Sequence, residues 1–231
     1  MGVYDNYLAV RHRLHEGDPP EHVALVLTER DLLADGAFDT LSSALGWALE
    51  YGAERVTVSV SVLDASVIPT LTRELRRMDA PERVVVRGPD DVGSTADQRD
   101  EGSDEDIDSA DEVADLAKTD SGDGDAPIRI TVGLGGKAEF AAAVRDLASD
   151  VDAGRLDPDA IDADDIADRL VFSEEPDLVI KTGAERLSDF AIWQSVYAEL
   201  YFTDVNWRDF RQRDYLRAVL DFQDRQRRFG R

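Results

Sequence analysis

The segment HVALVL, from His22 to Leu27, is a nearly unbroken apolar run of strand-forming length. Such a run predicts a β-strand that is buried on both faces, as in a parallel sheet. The stretch from Phe38 to Tyr51 follows with apolar residues at helical spacing, and Gly52 is a stop signal for that helix. RVTVSVSVL, from Arg55 to Leu63, then predicts a second strand. A strand, a helix and a strand in this order indicate a parallel pair joined by a crossover helix.

The same alternation continues toward both ends of the chain. The additional predicted helices are residues 3–15, 67–78, 138–147 and 164–170, and the additional predicted strands are Arg83 to Gly88, Ile128 to Leu134 and Asp177 to Thr182. Helical periodicity is also expected from Phe190 to Leu200 and from Tyr215 to Phe222. We therefore predict the α/β class, with a parallel central sheet flanked by helices on both faces.

A change of composition interrupts this pattern. From Pro89 to Ala126 the chain is rich in Asp, Glu, Ser and Gly and has few bulky apolar residues. Such a segment buries too little surface to offset its ordering entropy, so we predict a disordered acidic insertion over residues 89–126. Residues 1–88 and 127–231 are then expected to form the N-terminal and C-terminal parts of one α/β domain.

The charge composition restricts the environment and the partners. The chain has 231 residues and a formal net charge of −24, and its only lysines are Lys118, Lys137 and Lys181. Excess carboxylate with little lysine favours solubility in concentrated salt, where screening reduces repulsion between like charges. We interpret the chain as a halophilic cytoplasmic protein. Nucleic-acid binding is not expected, because it requires a basic surface.

The sequence also limits disulfides and membrane insertion. The chain has no cysteine, which excludes disulfide bonds and thiolate metal sites. No apolar run approaches the roughly 18 residues of a membrane-spanning helix, and the N-terminus lacks a signal-peptide core. We expect at most a peripheral contact with a membrane.

Two features that suggest familiar chemistry do not fit it. GLGGKAEF, from Gly133 to Phe140, has the wrong spacing for a P-loop, and Ala138 stands where Ser or Thr must bind magnesium. We therefore expect a tight strand-to-helix turn there. His12, His15 and His22 offer neither metal-ligand spacing nor a catalytic triad.

The loop after Thr182 is the strongest candidate site. Ligands in parallel α/β sheets bind beyond the carboxyl ends of the strands. Lys181, Arg186 and Ser188 lie within eight residues at such an end, and Gly183 allows the backbone to approach a ligand closely. Two cations and a hydroxyl of this kind suit a diphosphate. The equally open alternative is a set of surface cations that pair with the many carboxylates of this chain.

The C-terminal third has a more specific pattern. The run PDLVIKTGAERLSDFAIWQSVYAELYFTDVNWRDF, from Pro176 to Phe210, closely resembles the cis-prenyltransferases, the undecaprenyl and dehydrodolichyl diphosphate synthase family. DFQDRQRRFG, from Asp221 to Gly230, resembles the end of that family's sequences, and GLGGKAEF resembles its NYGGRAEI. PEHVALVL, from Pro20 to Leu27, resembles the segment that opens its first strand.

This resemblance implies a dimer and a reaction that condenses isopentenyl diphosphate onto an allylic diphosphate. By position, Lys181, Arg186 and Ser188 take the roles of residues that hold the isopentenyl diphosphate. Glu199, expected in a helix, takes the role of a glutamate that helps to bind Mg²⁺. Arg228 and Gly230 supply an Arg-x-Gly that reaches across the dimer toward the partner's diphosphate.

The chain departs from the family pattern where the catalytic metal is bound. In the family the first strand runs into DGNxRRWA, whose aspartate organises magnesium on the allylic diphosphate. Here Thr28, Glu29, Arg30 and Asp31 follow the strand, and Thr28 has no charge to replace that carboxylate. The family's FSxENWxRP is also replaced, by the segment from Asp64 to Pro69, and the helices that wall its product tunnel are shortened or replaced by the acidic insertion.

The retained and missing parts together predict a non-catalytic subunit, which resembles the Nogo-B receptor type. We expect a heterodimer with a full-length cis-prenyltransferase, in which Arg228 completes the partner's site and Mg²⁺ is bound there. Two alternatives stay open. The first is an independently active cis-prenyltransferase, alone or as a homodimer, and the second is a lipid-diphosphate binding or regulatory protein.

Overall fold

The fold is a parallel sheet with helices on both faces. The computed structural model describes residues 2–89, 126–171, 174–183 and 193–229, with the backbone alone for residues 226–229. Within these segments there is one six-stranded sheet with the order β3-β4-β2-β1-β5-β6, and all of its strand pairs are parallel. The predicted fold class is therefore confirmed. Most of the predicted acidic insertion, residues 90–125, lies outside the described residues.

Five of the six strands begin and end within two residues of the predicted limits, and the last strand in the sequence was not predicted as a strand. The strands are β1 His22–Thr28, β2 Arg55–Ser61, β3 Val84–Arg87, β4 Ile128–Val132, β5 Leu178–Thr182 and β6 Glu199–Thr203. Every residue of β4 and β5 is buried, as expected for strands covered on both faces.

The described helices precede β1 and follow β1, β2, β4 and β6. They are α1 Val3–Arg13, α2 Glu29–Leu32, α3 Ala37–Glu50, α4 Ile68–Arg77, α5 Gly136–Asp152, α6 Ala163–Ala167 and α7 Gln212–Phe229. Short 3₁₀ turns lie at Ala65–Val67, Pro158–Ala160 and Trp207–Asp209. No helix in the described segments is long and apolar enough to cross a bilayer.

One face of the sheet carries the main core. Alternate residues of the central strands point to it, and α3, α4 and α7 supply the side chains that pack against them. Leu41 and Leu45 of α3 are fully buried, and Leu71 and Leu75 of α4 are 1% exposed. This face is filled by closely packed aliphatic and aromatic side chains.

The opposite face is more polar. A narrow cavity of about 30 Å³ lies there, lined by His22, Ala24, Thr57, Ser59, Thr131, Leu134, Glu139, Glu174, Pro176 and Gln194. Arg129 is 3% exposed on the neighbouring strand and is ion-paired with Glu174. Pairing of this kind is what allows a cation to be buried inside a sheet.

One predicted helix is wrong in its described part. Helical periodicity was expected from Phe190 to Leu200, but residues 193–197 form turns and Leu200 lies in the edge strand β6. Apolar residues three to four positions apart also occur where a turn leads into a short strand, so the spacing alone does not distinguish the two. Phe190 lies outside the described residues.

Candidate functional site

The carboxyl edge of the sheet brings two predicted positions together. β1 and β5 are adjacent and parallel, and Val26 pairs with Lys181. Thr28, the last residue of β1, follows Val26 by two residues. Along the strand direction it therefore lies just beyond Lys181. The loop after β1 and the end of β5 therefore share one side of the sheet, as expected for neighbouring parallel strands.

Thr28 serves as a helix cap at this edge. Its backbone amide and its hydroxyl both donate to Oδ2 of Asp31, each over 2.8 Å. The amide of Asp31 donates in return to the Thr28 hydroxyl over 3.4 Å, which completes a reciprocal cap at the start of α2. The local sequence Thr-Glu-Arg-Asp thus forms a closed turn after β1.

The next carboxylate also binds the backbone. Oε2 of Glu29 accepts the amide of Leu63 over 2.9 Å and the amide of Asp64 over 3.3 Å. The Asp64 side chain in turn accepts the amide of Ser66 over 2.9 Å, and hydrogen bonds from Ser66 lower the pKa of Asp64. The loops after β1 and β2 are therefore joined through carboxylates that accept backbone hydrogen bonds.

Lys181 is buried at the same edge. This residue of β5 is only 4% exposed, and its Nζ donates to the carbonyl oxygen of Thr182 over 3.1 Å. Burial lowers the pKa of Lys181, and the negative charge of Asp31 opposes this by raising it. Gly183 follows with a φ of 72°, a left-handed conformation that favours glycine.

Glu199 lies at the other end of the sheet. It pairs with Leu178 on β5, and Leu178 pairs with Val23 on β1, five residues before Thr28. At about 3.3 Å per residue this places Glu199 roughly 16 Å from the level of Thr28. The expectation that Glu199 lies in a helix is wrong, since it is the first residue of β6.

Glu199 has a cationic partner in α7. Nη1 of Arg225 donates to Oε2 of Glu199 over 3.0 Å, and Nη2 of Arg225 pairs with Asp221 over 2.7 Å. The hydrogen bond to Glu199 is the main cause of a raised pKa at Arg225. The carboxylate of Glu199 thus anchors the C-terminal helix to the edge strand.

Four other predicted site residues are described only in part or not at all. Arg186, Ser188 and Gly230 lie outside the described residues. The backbone of Arg228 is in the last turn of α7, three residues after Arg225. The predicted roles of these residues in binding a diphosphate stay predictions.

A family model matches the chain over residues 101–230 and is described as "Putative undecaprenyl diphosphate synthase". This match covers more than half of the chain. The chain belongs to the undecaprenyl diphosphate synthase family, the cis-prenyltransferases.

Individual relatives match a shorter segment. The chain is 49% identical over 107 residues to a tritrans,polycis-undecaprenyl-diphosphate synthase (geranylgeranyl-diphosphate specific) of Methanopyrus kandleri, covering 45% of this chain and 40% of that protein. It is 46% identical over 110 residues to an isoprenyl transferase of Streptococcus thermophilus, covering 45% and 44%. The matched segment therefore spans less than half the length of these curated relatives.

A solved structure extends the similarity to the whole fold. The crystal structure of lavandulyl diphosphate synthase from Lavandula x intermedia, in complex with dimethylallyl diphosphate, superimposes with a TM-score of 0.59. The superposition covers 89% of this chain and 95% of that one, at 21% sequence identity. This likeness concerns the fold.

The carboxylates of this chain do not fit the magnesium site that the family resemblance implies. Mg²⁺ binds oxygen ligands at 2.0–2.1 Å in a near-ideal octahedron. Glu199 is separated from the end of β1 by roughly 16 Å along the strands, so the two ends cannot share one ion within the chain. Asp31 and Glu29 each use an oxygen as an acceptor for backbone amides. In the described segments no group of three or more His, Asp or Glu side chains is arranged to hold a metal ion.

Sequence reasoning missed the contact between α1 and α7. Arg11 and His15 bind Asp224, and His12 lies 3.1 Å from Oε1 of Gln223. These pairs are more than 200 residues apart in the chain, so no local pattern predicts them. The spacing of Asp221 and Arg225 suits an i,i+4 ion pair in a helix, but it concerns α7 alone.

Proposed function

We propose that this chain is the non-catalytic subunit of a heteromeric cis-polyprenyl diphosphate synthase. The observation that carries the proposal is the closed cap between Thr28 and Asp31 at the end of β1. In the family pattern this position carries the carboxylate that organises magnesium. Ionisation of an allylic diphosphate requires metal and cations to stabilise the departing charge. Losing one member of a catalytic group that acts as a unit typically costs ~10³–10⁶ in rate.

The packing of α4 supports the same proposal. The helices that follow the second strand wall the product tunnel in the family pattern. Here Leu71 and Leu75 of α4 lie in one aliphatic core with Val60 and Ile130, all of them nearly inaccessible to solvent. A long polyprenyl chain needs an open apolar channel, whereas this interface is closed by side chains.

The C-terminal elements are the parts that serve a partner in this proposal. Arg228 and Gly230 form an Arg-x-Gly beyond the anchored part of α7. A guanidinium is suited to a diphosphate because its planar donors bind phosphate oxygens in pairs. In this proposal Arg228 donates to the isopentenyl diphosphate in the active site of a full-length partner, which holds the Mg²⁺. Lys181, Arg186 and Ser188 offer a second diphosphate contact on this chain.

The experiment compares the chain alone with the chain and its partner. The tagged protein is purified from its native host with the synthase that accompanies it, and both are also prepared separately. We expect polyprenyl product from isopentenyl diphosphate, an allylic primer and magnesium only when both chains are present. Arg228→Ala is expected to reduce this turnover, whereas Arg213→Ala, an exposed arginine in the first turn of the same helix, serves as the matched control.

An independently active enzyme is the second candidate. It is favoured by the names of the similar proteins, which are synthases and transferases, and by the negative charge of Asp31, which raises the pKa of Lys181 at the same edge of the sheet. In that case Asp31 would be the required carboxylate. Product formed by the purified chain alone, and lost in Asp31→Asn, would establish this candidate and remove the subunit proposal.

A further inference from the structure

Helices α1 and α7 lie side by side and run in the same direction. The guanidinium of Arg217 lies over the ring of Tyr4, 5.4 Å from its centroid, and seven residues further along both helices Arg11 meets Asp224. Leu8, between these two contacts on α1, is 3% exposed. The end of α1 is thereby placed beside the last turns of α7.

Both oxygens of Asp224 are held by this N-terminal segment. Nη2 of Arg11 lies 3.1 Å from Oδ2, and Nε2 of His15 lies 3.0 Å from Oδ1. Next to this contact, Nε2 of the Gln223 side chain donates to the carbonyl oxygen of Gly17 over 2.6 Å. Three polar contacts therefore fix residues 223 and 224 against α1 and the segment that follows it.

The orientation of His15 follows from its neighbours. The amide of Gly17 donates to Nδ1 of His15 over 3.0 Å, so Nδ1 accepts and carries no proton in this arrangement. Nε2 then carries the proton and donates it to Asp224. The imidazole ring is only 9% exposed, which makes this a directed contact rather than a loose surface pair.

The next residue of α7 is held by a different element. Arg225 is bonded to Glu199 at the start of β6 and to Asp221 one turn earlier in α7. Asp224 and Arg225 are thus anchored to two different elements, and Arg228 follows within one turn. We call Arg11, His15, Asp224, Arg225 and Glu199 the tail clamp.

We propose that the tail clamp positions Arg228, so that the N-terminal helix determines how the C-terminal arginine is presented. This inference rests on the proposed function for its purpose, although the clamp itself is a property of this chain. The end of a helix is poorly ordered unless contacts with other elements hold it. A long side chain on such an end then samples many positions. Arg11, His15, Asp224 and Glu199 are positioning residues in this scheme, because they act on a ligand only through Arg228.

The first test measures the order of the tail in this chain alone. Because the native chain has no cysteine, Arg228→Cys and Val144→Cys provide two unique spin-label sites, the second on an exposed position of α5. Asp224→Asn keeps the side-chain volume but leaves a single acceptor oxygen, which cannot serve Arg11 and His15 together. We expect it to broaden the distribution of distances between the labels. Asp209→Asn, which removes one charge from an exposed pair with Arg208, should leave the distribution narrow.

The second test measures coupling to Arg228 in the two-chain synthase. Asp224→Asn is expected to raise the KM for isopentenyl diphosphate on the order of tenfold with a smaller change in kcat, because the binding group is misplaced. In the Arg228→Ala background the same substitution should have no further effect, as a double-mutant cycle requires of residues that act through one another.

The outcomes separate the two proposals. An unchanged distance distribution in Asp224→Asn, or effects that simply add in the cycle, would overturn the clamp. Arg228→Ala without any effect on turnover would overturn the proposed function. A broadened distribution in that same case would still establish that α1 orders the tail.

Discussion

Asp31 accepts two hydrogen bonds of 2.8 Å from Thr28, one from its backbone amide and one from its hydroxyl. The last residue of β1 therefore uses its polar groups to start a short helix. A carboxylate at this position of the family pattern would face Asp31 instead of bonding to it, and like charges at this distance repel. A capping threonine and a magnesium-binding aspartate are therefore alternatives at this position of the chain.

Replacing Thr28 tests the cap. Thr28→Val keeps the shape but removes the hydroxyl, and we expect the free energy of unfolding to fall by about 1 kcal/mol, as for other lost N-caps. Urea denaturation in molar KCl measures this loss. Thr28→Ser keeps the acceptor and the donor, so its unfolding curve should stay close to that of the native chain. Equal losses in both variants would contradict the cap.

We expect the buried ammonium group of Lys181 to lower the free energy of unfolding. Its ammonium group is buried, and burial lowers its pKa, which means that the unfolded state binds the proton more readily. Lys181→Met should therefore increase the free energy of unfolding by ~1 kcal/mol at neutral pH, since an apolar side chain of similar length suits the site better. The gain should shrink as the pH approaches 10.5, where the unfolded lysine also loses its proton. A clear loss of stability would show that the ammonium has a stronger partner than Thr182.

Much of the fold follows from the sequence because the central strands are apolar runs with clear limits. HVALVL and RVTVSVSVL predict β1 and β2 within two residues. The strand order does not follow, because β3 lies beyond β4 at the edge of the sheet, and that choice depends on packing between distant segments. β6 was missed because Leu200 fits a helical spacing as well as a strand, and the sequence contains no breaker between Trp193 and Leu200.

The candidate site is predictable where it depends on local chemistry. The end of β5 locates Lys181. The cap between Thr28 and Asp31 was not predicted, although Thr-x-x-Asp before a helix is a capping pattern. The position of Glu199 is not predictable in this way, because it depends on the register of β6 against β5. The contact of Asp224 with Arg11 joins the two ends of the chain and has no local signature.

Glu199 is expected to act on α7 and not on a metal within this chain. Glu199→Gln removes the charge that pairs with Arg225, and both side chains are about one third exposed. The free energy of unfolding should therefore fall by no more than about 1 kcal/mol, as for other partly exposed ion pairs. The melting temperature is measured in MgCl₂ and in KCl of equal ionic strength. The difference in melting temperature between the two salts should be the same for the variant and the native chain. A stabilisation by magnesium that is lost in Glu199→Gln would contradict this view.

Stability should depend on pH through His22. Its Nε2 lies 2.8 Å from the Thr57 hydroxyl and its Nδ1 lies 3.1 Å from the carbonyl of Glu175. A carbonyl only accepts, so Nδ1 donates and Nε2 accepts from Thr57, which describes a neutral ring. Burial is the main cause of a pKa below the usual 6.5 at His22, and the positive charge of Arg55 also lowers it.

The sign of the effect follows from the two pKa values. Below pH 6.5 the unfolded chain takes up a proton at His22 that the folded chain binds less readily, so the free energy of unfolding falls as the pH decreases. His22→Gln supplies an amide that does not titrate. Although this variant is less stable near pH 7.5, its stability should decline less than that of the native chain between pH 7.5 and 5.5. Urea unfolding in molar KCl measures both slopes, and parallel pH profiles would mean that His22 is not the group that titrates.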